Sequence, residues 1–439
     1  MASADASSLS IAAFTALGTV VGYLGTEVAS ASIFHRILWP SRFYNDSRTL
    51  KSFIGIIFLM PIGGPIHKAA VEVLNSFSLA GLWKGYCRGD MLGTAFYDNT
   101  GHSYVVRMAN SNINAKKEAR NAFWVTVLSL IPWKPRPNQG IPPAPADDES
   151  AARIVHSARA QRPVFTLKLS RATPTVTKTL TVVDGDIGPL KFRYLMAILA
   201  SEFVTLAVGI INAAIWHSMF AIWYLAPLLL KITALLFHVR RNSINALQHQ
   251  TTLSTPGTSE AEQKFSSTTN GSKGHDMMLC QIEGFSKGFF LIEGPSELLL
   301  QFFRHYGHPE RHRKGGFGDR AREVISMFTV IGAILIYPAG LIAFIFAPIT
   351  IQWVWLGYQL YAMLAMHIYR FGECEHIGTT QAWIARELLH HGSVSFDDGS
   401  GNRVVAELQS STARSIADGQ QEVERLVERL LEVHTQNDG

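Results

Sequence analysis

The sequence of 439 residues contains only three cysteines, Cys87, Cys280 and Cys374. Their odd number and wide spacing exclude a disulfide-stabilised scaffold, and none of them forms the CxxC pair of a zinc knuckle. Charged residues are also few, at 17% of the chain, and the net charge is only +5. Because the basic residues are scattered through the sequence, we expect no nucleic-acid partner.

Motifs that bind cofactors are missing as well. The chain has no Walker loop, no GxGxxG after a strand, no GxSxG elbow and no HExxH. His305, His308 and His312 have a spacing that resembles one histidine box of membrane hydroxylases and desaturases. The further boxes of those families are absent, and Pro309 breaks any helix that would carry all three. A basic surface loop is the better prediction, and we expect neither a metal nor a cofactor.

Apolar residues, by contrast, make up 47% of the chain and occur in long runs. About 20 apolar residues cross the hydrocarbon core of a bilayer. Residues 324–369 contain no Asp, Glu, Lys or Arg over 46 positions. We predict two spanning helices there with a break at Ala347-Pro348, because the residue before a proline disfavours the helical conformation. Residues 194–238 predict a second hairpin, which turns near His217-Ser218.

Residues 11–34 predict a fifth span. Their apolar core, followed by Ala29-Ser30-Ala31, is also typical of a cleaved signal peptide. However, no Lys or Arg precedes this core, and the basic residues come afterwards, from Arg36 to Lys51. By the positive-inside rule, this order favours an uncleaved anchor whose N-terminus lies outside.

These runs together predict an all-α polytopic membrane bundle of about five spans, with a small cytosolic β-element and a C-terminal amphipathic helix. The long connections are basic enough to be cytosolic, so we expect a multi-pass protein of the endoplasmic reticulum or another endomembrane. The predicted segments are a tail (1–10), the first transmembrane helix (11–34), a basic loop with short apolar or re-entrant helices (35–133), a Pro-rich linker with a β-hairpin (134–193), a transmembrane hairpin (194–238), a disordered linker with an amphipathic helix and a basic loop (239–323), a second transmembrane hairpin (324–369) and a cytosolic tail with a β-hairpin and a helix (370–439).

Short segments between the apolar runs predict the cytosolic structure. Three pairs read as β-strands that could assemble into one sheet: 95–97 with 104–106, 164–169 with 176–183, and 394–396 with 404–406. Residues 286–306 predict an amphipathic helix in the membrane interface. Residues 411–434 predict a second amphipathic helix. Its heptad pattern is short, which favours packing on its own domain and leaves a coiled coil with a protein partner as the alternative.

Ionisable side chains within the apolar runs are candidates for function, because they are costly at bilayer depth. Glu202 shares its part of the helix surface with Ser201, Thr205 and Asn212, so this polar strip must face protein or a pocket rather than lipid. One interpretation is a structural carboxyl that bonds to a neighbouring helix. The other is a protonatable acid or base whose pKa is raised by desolvation.

The two other ionisable groups also leave alternatives open. Glu27 lies opposite a stripe of small residues that includes Gly18 and Gly22, so either this helix is enclosed on both sides or Glu27 extends toward its basic end. Lys231 can extend toward the cytosolic surface. It also lies about as far after the predicted turn as Glu202 lies before it, at 1.5 Å per residue, which predicts that the two form an ion pair or share a proton.

Two functions follow as expectations. The first is a polytopic membrane protein that binds a lipophilic small molecule in a pocket formed by Ser201, Thr205, Asn212 and Lys231. Glu202 would then be the catalytic residue for non-redox acid–base chemistry of the cyclase or isomerase type, and Glu27 is a second candidate. The alternative is a non-catalytic membrane scaffold or transport component whose cytosolic segments bind protein partners.

Overall fold

A computed structural model of the protein divides into two units. Unit 1 comprises residues 1–96, 184–241 and 309–379, and unit 2 comprises residues 97–183, 242–308 and 380–439. The residues that the structure describes are 2–29, 31–40, 43, 50–82, 92, 102–107, 116–119, 121–131, 162–171, 181–182, 202–239, 277–283, 288–306, 317–371, 379–397, 403–413 and 415–437.

The described residues form twelve α-helices and eight strands. The helices are α1 (Ala2–Thr26), α2 (Ala31–Leu38), α3 (Leu50–Leu59), α4 (His67–Leu79), α5 (Phe123–Leu130), α6 (Glu202–Trp216), α7 (Ala221–Leu236), α8 (Ser296–Leu300), α9 (Phe317–Phe344), α10 (Ile349–Phe371), α11 (Thr380–His391) and α12 (Ile416–Asn437). The strands are β1 (Ser103–Arg107), β2 (Lys116–Glu118), β3 (Arg162–Arg171), β4 (Thr181–Val182), β5 (Met277–Glu283), β6 (Phe289–Pro295), β7 (Ser393–Asp397) and β8 (Arg403–Ala413).

Unit 2 is built on one mixed sheet with the strand order β2-β1-β5-β6-β3-β8-β7-β4. The pairs β3–β6 and β4–β7 are parallel, and the other neighbours are antiparallel. Successive side chains of a strand point to opposite faces. Phe165 and Leu167 of β3 therefore join the core formed with α5, α8 and α11, whereas Val164 joins Val423 and Val427 of α12 on the other face. This confirms that the C-terminal helix packs on its own domain.

Unit 1 contains the remaining eight described helices. Helix α1 packs against α10, α9 packs against α4 and α7, and α6 packs against α7. The small-residue stripe of α1 faces α9: a Cβ at Gly18 would lie 2.5 Å from Leu341, and one at Gly22 would lie 2.8 Å from Tyr337. The stripe therefore lets two helix backbones approach closely, as predicted.

The prediction of an all-α bundle with about five spans is wrong. An eight-stranded sheet organises unit 2, and one described helix, Gly318–Phe344, is long and apolar enough to cross a membrane, with 27 residues and a mean hydropathy of 2.1. The apolar helices Ile11–Thr26, Glu202–Trp216 and Ala221–Leu236 are shorter than the roughly 20 residues that a crossing needs. Each predicted transmembrane hairpin is thus a pair of helices in the structure. Length and hydropathy support a membrane crossing for one of the described helices.

The ends of these helices agree with the predicted breaks. Helix α9 ends at Phe344 and α10 begins at Ile349, on either side of Ala347-Pro348. Helix α6 ends at Trp216 before His217, whose φ of 42° is left-handed and turns the chain toward α7. The predicted single helix over 11–34, however, is interrupted between Thr26 and Ala31, where α1 and α2 meet.

Strand predictions were correct for one pair of segments. Strands β7 and β8 form the predicted hairpin, with Val394 opposite Ala406. The pairing of 164–169 with 176–183 is wrong, because β3 lies between β6 and β8 and the short β4 pairs with β7. The helix predicted over 286–306 is also wrong in its first half, which is β6, and helical structure begins only at Ser296.

Several other predictions fall on residues that the structure does not describe. They are the strand 95–97, the Pro-rich segment 134–151, the polar linker 250–276 and the basic loop that contains His308 and His312.

Candidate functional site

A buried break between two short helices is the most unusual feature of unit 1. Residues 60–66, with the sequence Met-Pro-Ile-Gly-Gly-Pro-Ile, separate α3 from α4, and every one of them is buried. Prolines cannot donate a backbone hydrogen bond, and the segment is too irregular to pair its backbone groups as a helix does. Buried backbone N–H and C=O groups need partners nonetheless. The Ile66 N–H donates to the Gly64 carbonyl, and side chains supply partners for other groups of the segment.

Glu202 and Lys231 supply two of these partners. The Lys231 ammonium donates a 2.7 Å hydrogen bond to the carbonyl oxygen of Met60, and the Ile62 N–H donates to the Glu202 carboxylate. The Lys231 nitrogen lies 3.6 Å from the same carboxylate oxygen, with the two side chains 0% and 1% exposed. The ion pair expected from helix geometry is therefore present, and each of its members bonds to the backbone of the broken segment.

Helix α6 carries this site on a polar face. Its buried residues are Glu202, Thr205, Gly209 and Asn212, which confirms that the polar strip faces protein; Ser201 lies outside the described residues. The Thr205 hydroxyl lies 2.8 Å from the hydroxyl of Tyr358 on α10.

The break needs glycine where it meets these hydroxyls. A Cβ at Gly63 would collide with the Tyr358 hydroxyl and lie 3.1 Å from the Thr205 oxygen. The two hydroxyl groups thus pack directly against the backbone of the broken segment.

One further polar atom of this face has no partner among the described residues, since the second oxygen of Glu202 makes no hydrogen bond there. Asn212 is 0% exposed, and its amide lies beside the Tyr224 hydroxyl. Buried polar atoms of this kind are commonly completed by water or by a ligand.

A small cavity adjoins the broken segment. It measures about 210 Å³ when the open solvent at its mouth is counted, and its walls are three glycines, three aromatic side chains, one aliphatic side chain and one amide: Gly63, Gly64, Gly340, Trp223, Tyr337, Trp355, Ile336 and Gln359. The aromatic walls are fixed by ring contacts, with centroids 5.6 Å apart for Tyr337 and Trp355 and 4.9 Å apart for Trp355 and Phe344. The Tyr337 hydroxyl also donates to the carbonyl of Gly18. The cavity is therefore pre-formed.

Glu27 does not belong to this site. It follows the end of α1 and is 61% exposed, and its carboxylate pairs with Lys68 at 2.8 Å. Arg370 donates to the Glu27 carbonyl at 2.9 Å. Among the described residues, the partners of Glu27 are thus different from those of Glu202, and the expected pair of catalytic carboxyls is not assembled.

Two parts of the site were missed from the sequence. Gln359 and Gly340 lie in the uncharged run 324–369, where neither carries a charge that would draw attention. A glutamine within such an apolar run is itself a signal, since a polar amide needs a buried partner. The broken segment was expected only as a short or re-entrant helix, although its two prolines and two glycines mark the break.

Comparison with known proteins adds no assignment. No protein family, curated protein or solved structure matches the chain. Inferences about function therefore depend on the geometry of the site.

Proposed function

We propose that unit 1 is embedded in a membrane and binds a lipophilic small molecule in the cavity beside the broken helix. The main support for the membrane location is that α6 buries polar residues and exposes apolar ones. This helix buries Glu202, Thr205 and Asn212, while Phe203 and Ile215 are 64% and 66% exposed. A helix in water places its apolar stripe inside, so this arrangement favours apolar surroundings.

Exposed apolar stripes on the neighbouring helices support the same proposal. Helix α9 exposes Phe328, Leu335 and Ile342 at intervals of seven residues, each more than half exposed. Helix α7 exposes Ile222, Leu229 and Leu236 in the same way. Contiguous apolar surface of this kind is rare on soluble monomers and marks contact with lipid or another apolar partner.

The binding part of the proposal depends on the cavity. Membrane proteins tolerate buried non-helical backbone where it is enclosed by protein or lines a cavity, and interrupted helices are typical of their binding sites. Here Gly63 and Gly64 of the broken segment form one wall, and three aromatic side chains form most of the rest. The ion pair between Glu202 and Lys231 is best assigned to holding this wall, because both groups bond to its backbone.

Acid–base chemistry through Glu202 is the second candidate function. One observation favours it: the second carboxylate oxygen makes no hydrogen bond within the described residues. The test is Glu202→Gln, which keeps the shape of the side chain. Metabolite profiles of cells that express this variant would lose a product if Glu202 were a catalytic acid, whereas a structural carboxyl would change protein yield alone.

For the location, we propose an endomembrane such as the endoplasmic reticulum, with the long connections on the cytosolic side. The basic residues that follow the first apolar run, from Arg36 to Lys51, support this orientation.

The binding proposal is tested by filling the cavity. A Cβ at Gly340 would lie 3.3 Å from the Trp355 ring and 3.7 Å from Trp223, so Gly340→Leu places its side chain among the cavity walls. Gly357 on α10 has nothing within 4 Å, so Gly357→Leu is the matched control. Organic extracts of the purified proteins should contain a lipophilic compound in the wild type and the control that is missing from Gly340→Leu. Identical extracts from all three would overturn the proposal.

A further inference from the structure

The turn between α9 and α10 is apolar although its tip is exposed. Residues 345–348 have the sequence Ile-Phe-Ala-Pro, and the Phe346 side chain is 82% exposed. The whole run 324–369 around this turn contains no Asp, Glu, Lys or Arg. A turn that ends in water usually contains Gly, Asn, Asp or Ser. The composition of this turn therefore fits apolar surroundings.

The backbone of the turn finds hydrogen-bond partners inside the protein. The N–H groups of residues 345–347 donate to carbonyls in the last turn of α9, and Pro348 has no N–H to satisfy. The Gln352 side chain is 3% exposed, and its nitrogen donates to the carbonyls of Ile345 and Ala347 at 3.2 and 3.0 Å. Exposed backbone groups are costly in lipid, because no water is present to bond to them. Gln352 thus has the place that water takes at a hydrated turn.

Charged residues lie at the opposite end of both helices. Glu323 and Arg370 bound the uncharged run, and Arg370 bonds to the carbonyl of the exposed Glu27. At 1.5 Å per residue, the path along α9 from Glu323 to Phe344 is about 32 Å. The path along α10 from Arg370 back to Ile349 has the same length. The hydrocarbon core of a bilayer is about 30 Å thick. With the charged end at one surface, the turn therefore reaches the far edge of the hydrocarbon core and ends there.

The turn between α6 and α7 lies at the same level, since the ring centroids of Phe220 and Phe344 are 5.2 Å apart. This turn also has an apolar tip, because Met219 is 84% exposed. It contains one titratable side chain, the exposed His217, and Trp216 before it is 40% exposed. Histidine and tryptophan combine an apolar ring with a polar atom and suit the boundary between lipid and water. They therefore mark the same depth, the far edge of the hydrocarbon core.

We infer that the turn between α9 and α10 is inserted in lipid: it ends among the acyl chains of the far leaflet, and Gln352 bonds its carbonyls in place of water. This inference rests on the proposed membrane location of unit 1 and names the surface that meets the far leaflet.

The experiment uses nitroxide spin labels on the full-length protein in phosphatidylcholine vesicles. The background variant Cys87→Ser/Cys374→Ser keeps Cys280, which is completely buried, and it serves as the blank. Phe346→Cys places a label on the tip, and Glu27→Cys places a control label at the charged end, where the side chain is 61% exposed. Relaxation of each label by molecular oxygen, which concentrates in hydrocarbon, is compared with relaxation by a water-soluble nickel chelate.

The label at position 346 should respond to oxygen and lose the effect of the nickel chelate. The label at position 27 should keep the nickel effect, and a label introduced by His217→Cys should fall between the two. If Phe346→Cys fails to fold, Ile349→Cys gives the same readout, since Ile349 is 49% exposed at the start of α10.

The role of Gln352 is tested in the Phe346→Cys protein. Gln352→Met keeps the length of the side chain but cannot donate, so the two carbonyls should draw in water and part of the nickel effect should return at position 346. Gln359→Met is the matched control, because Gln359 lies two helical turns further along α10, and it should leave the nickel effect unchanged. A nickel effect that Gln352→Met does not raise would overturn the role of Gln352.

Flotation with the vesicles separates this inference from the proposed function. Protein that does not float would overturn both the membrane location and the inserted turn. If the protein floats but the nickel chelate relaxes the label at position 346 as strongly as the one at position 27, the turn emerges into water. That result would overturn the inserted turn and leave the membrane location standing. Weak relaxation by both reagents would mean that the turn packs against protein, such as a second copy of the chain, and would also overturn its contact with lipid.

Discussion

Lys231 and Glu202 form a buried ion pair with a nitrogen–oxygen distance of 3.6 Å, and each also bonds to the backbone of the broken segment. Removing one charge from such a pair leaves the other unpaired in an apolar environment, at a cost of about 3–5 kcal/mol. We therefore expect Glu202→Leu and Lys231→Leu each to lower the yield of folded protein severely, while the double variant loses less than the sum of the two. Thermal unfolding of the purified variants measures this coupling, and additive losses would contradict it.

Glu27 and Lys68 provide a matched control for that cycle. Their distance is shorter, at 2.8 Å, but the side chains are 61% and 46% exposed. Ion pairs in water gain little, because both partners stay hydrated when separated. Glu27→Leu and Lys68→Leu should therefore leave the melting temperature nearly unchanged, so that burial and not distance decides the outcome.

Glycine at position 63 is required by the close approach of Tyr358. A Cβ there would collide with the Tyr358 hydroxyl, which is held in place by Thr205. We expect Gly63→Ala to destabilise unit 1 by about 1–3 kcal/mol, the usual cost of overpacking. Gly357→Ala, on the open side of α10, should instead stabilise the helix by about 0.5–1 kcal/mol. Equal decreases in the melting temperatures of Gly63→Ala and Gly357→Ala would show that the contact between Gly63 and Tyr358 does not affect stability.

Some features of the site could be predicted because the sequence pattern itself shows them, and others depend on how the helices pack. The Glu202–Lys231 pair followed from counting residues on either side of the turn at His217, because helical rise is constant. The polar strip of α6 could also be predicted from the sequence, because its few polar residues lie within a long run of apolar ones. The position of Gln359 could not be predicted, because only the packing of α9 and α10 shows that it lines the same cavity as Tyr337 and Trp355.

The sheet was largely missed for a physical reason. Strand β6 has the sequence Phe-Phe-Leu-Ile-Glu-Gly-Pro and is covered on both faces, with Phe290 in one core and Leu291 in the other. A strand buried on both faces has no polar side, so the alternation that identifies strands disappears. Its apolar run merged with the helical residues that follow and was predicted as one amphipathic helix.

Asn121 connects α5 to the turn that follows α8 in unit 2. Its side-chain nitrogen donates to the Tyr306 carbonyl at 2.6 Å, and its oxygen accepts from the Phe123 N–H at 2.7 Å. Both bonds are buried, so Asn121→Ala should cost about 1–3 kcal/mol of unfolding free energy for the groups left unpaired. Asn121→Asp keeps the acceptor for Phe123 but places a buried carboxylate oxygen against the Tyr306 carbonyl, so it should lose at least as much stability as Asn121→Ala in chemical denaturation at neutral pH.

The proposed orientation predicts the fate of two glycosylation sequons. Asn45 (Asn-Asp-Ser) and Asn270 (Asn-Gly-Ser) both lie in connections expected to be cytosolic, and glycans are added only on the lumenal side. Neither should be modified in a eukaryotic host. A mobility shift that a glycosidase removes, and that disappears in Asn45→Gln or Asn270→Gln, would contradict this orientation.

Cys280 in the sheet of unit 2 predicts a response to alkaline pH. It is completely buried on β5, and burial raises the pKa of its thiol from 9.0 to about 12. The unfolded chain therefore loses this proton at lower pH than the folded one. The contribution of this group is fully present below about pH 9 and declines between pH 9 and pH 12, by up to about 1.4 kcal/mol per pH unit.

Comparison with Cys280→Ala isolates this titration from that of other groups, because the alanine variant has no thiol to ionise. The cavity that the alanine leaves lowers stability at every pH. The difference in unfolding free energy from the wild type should nevertheless narrow as the pH rises from 9 to 11, as measured by chemical denaturation of the purified proteins.

The variant Cys87→Ser/Cys374→Ser leaves Cys280 as its only thiol, and maleimide should label this thiol only when unit 2 opens. Rapid labelling of the folded protein at pH 8, or a gap that stays constant with pH, would show that the thiol is accessible in the native sheet.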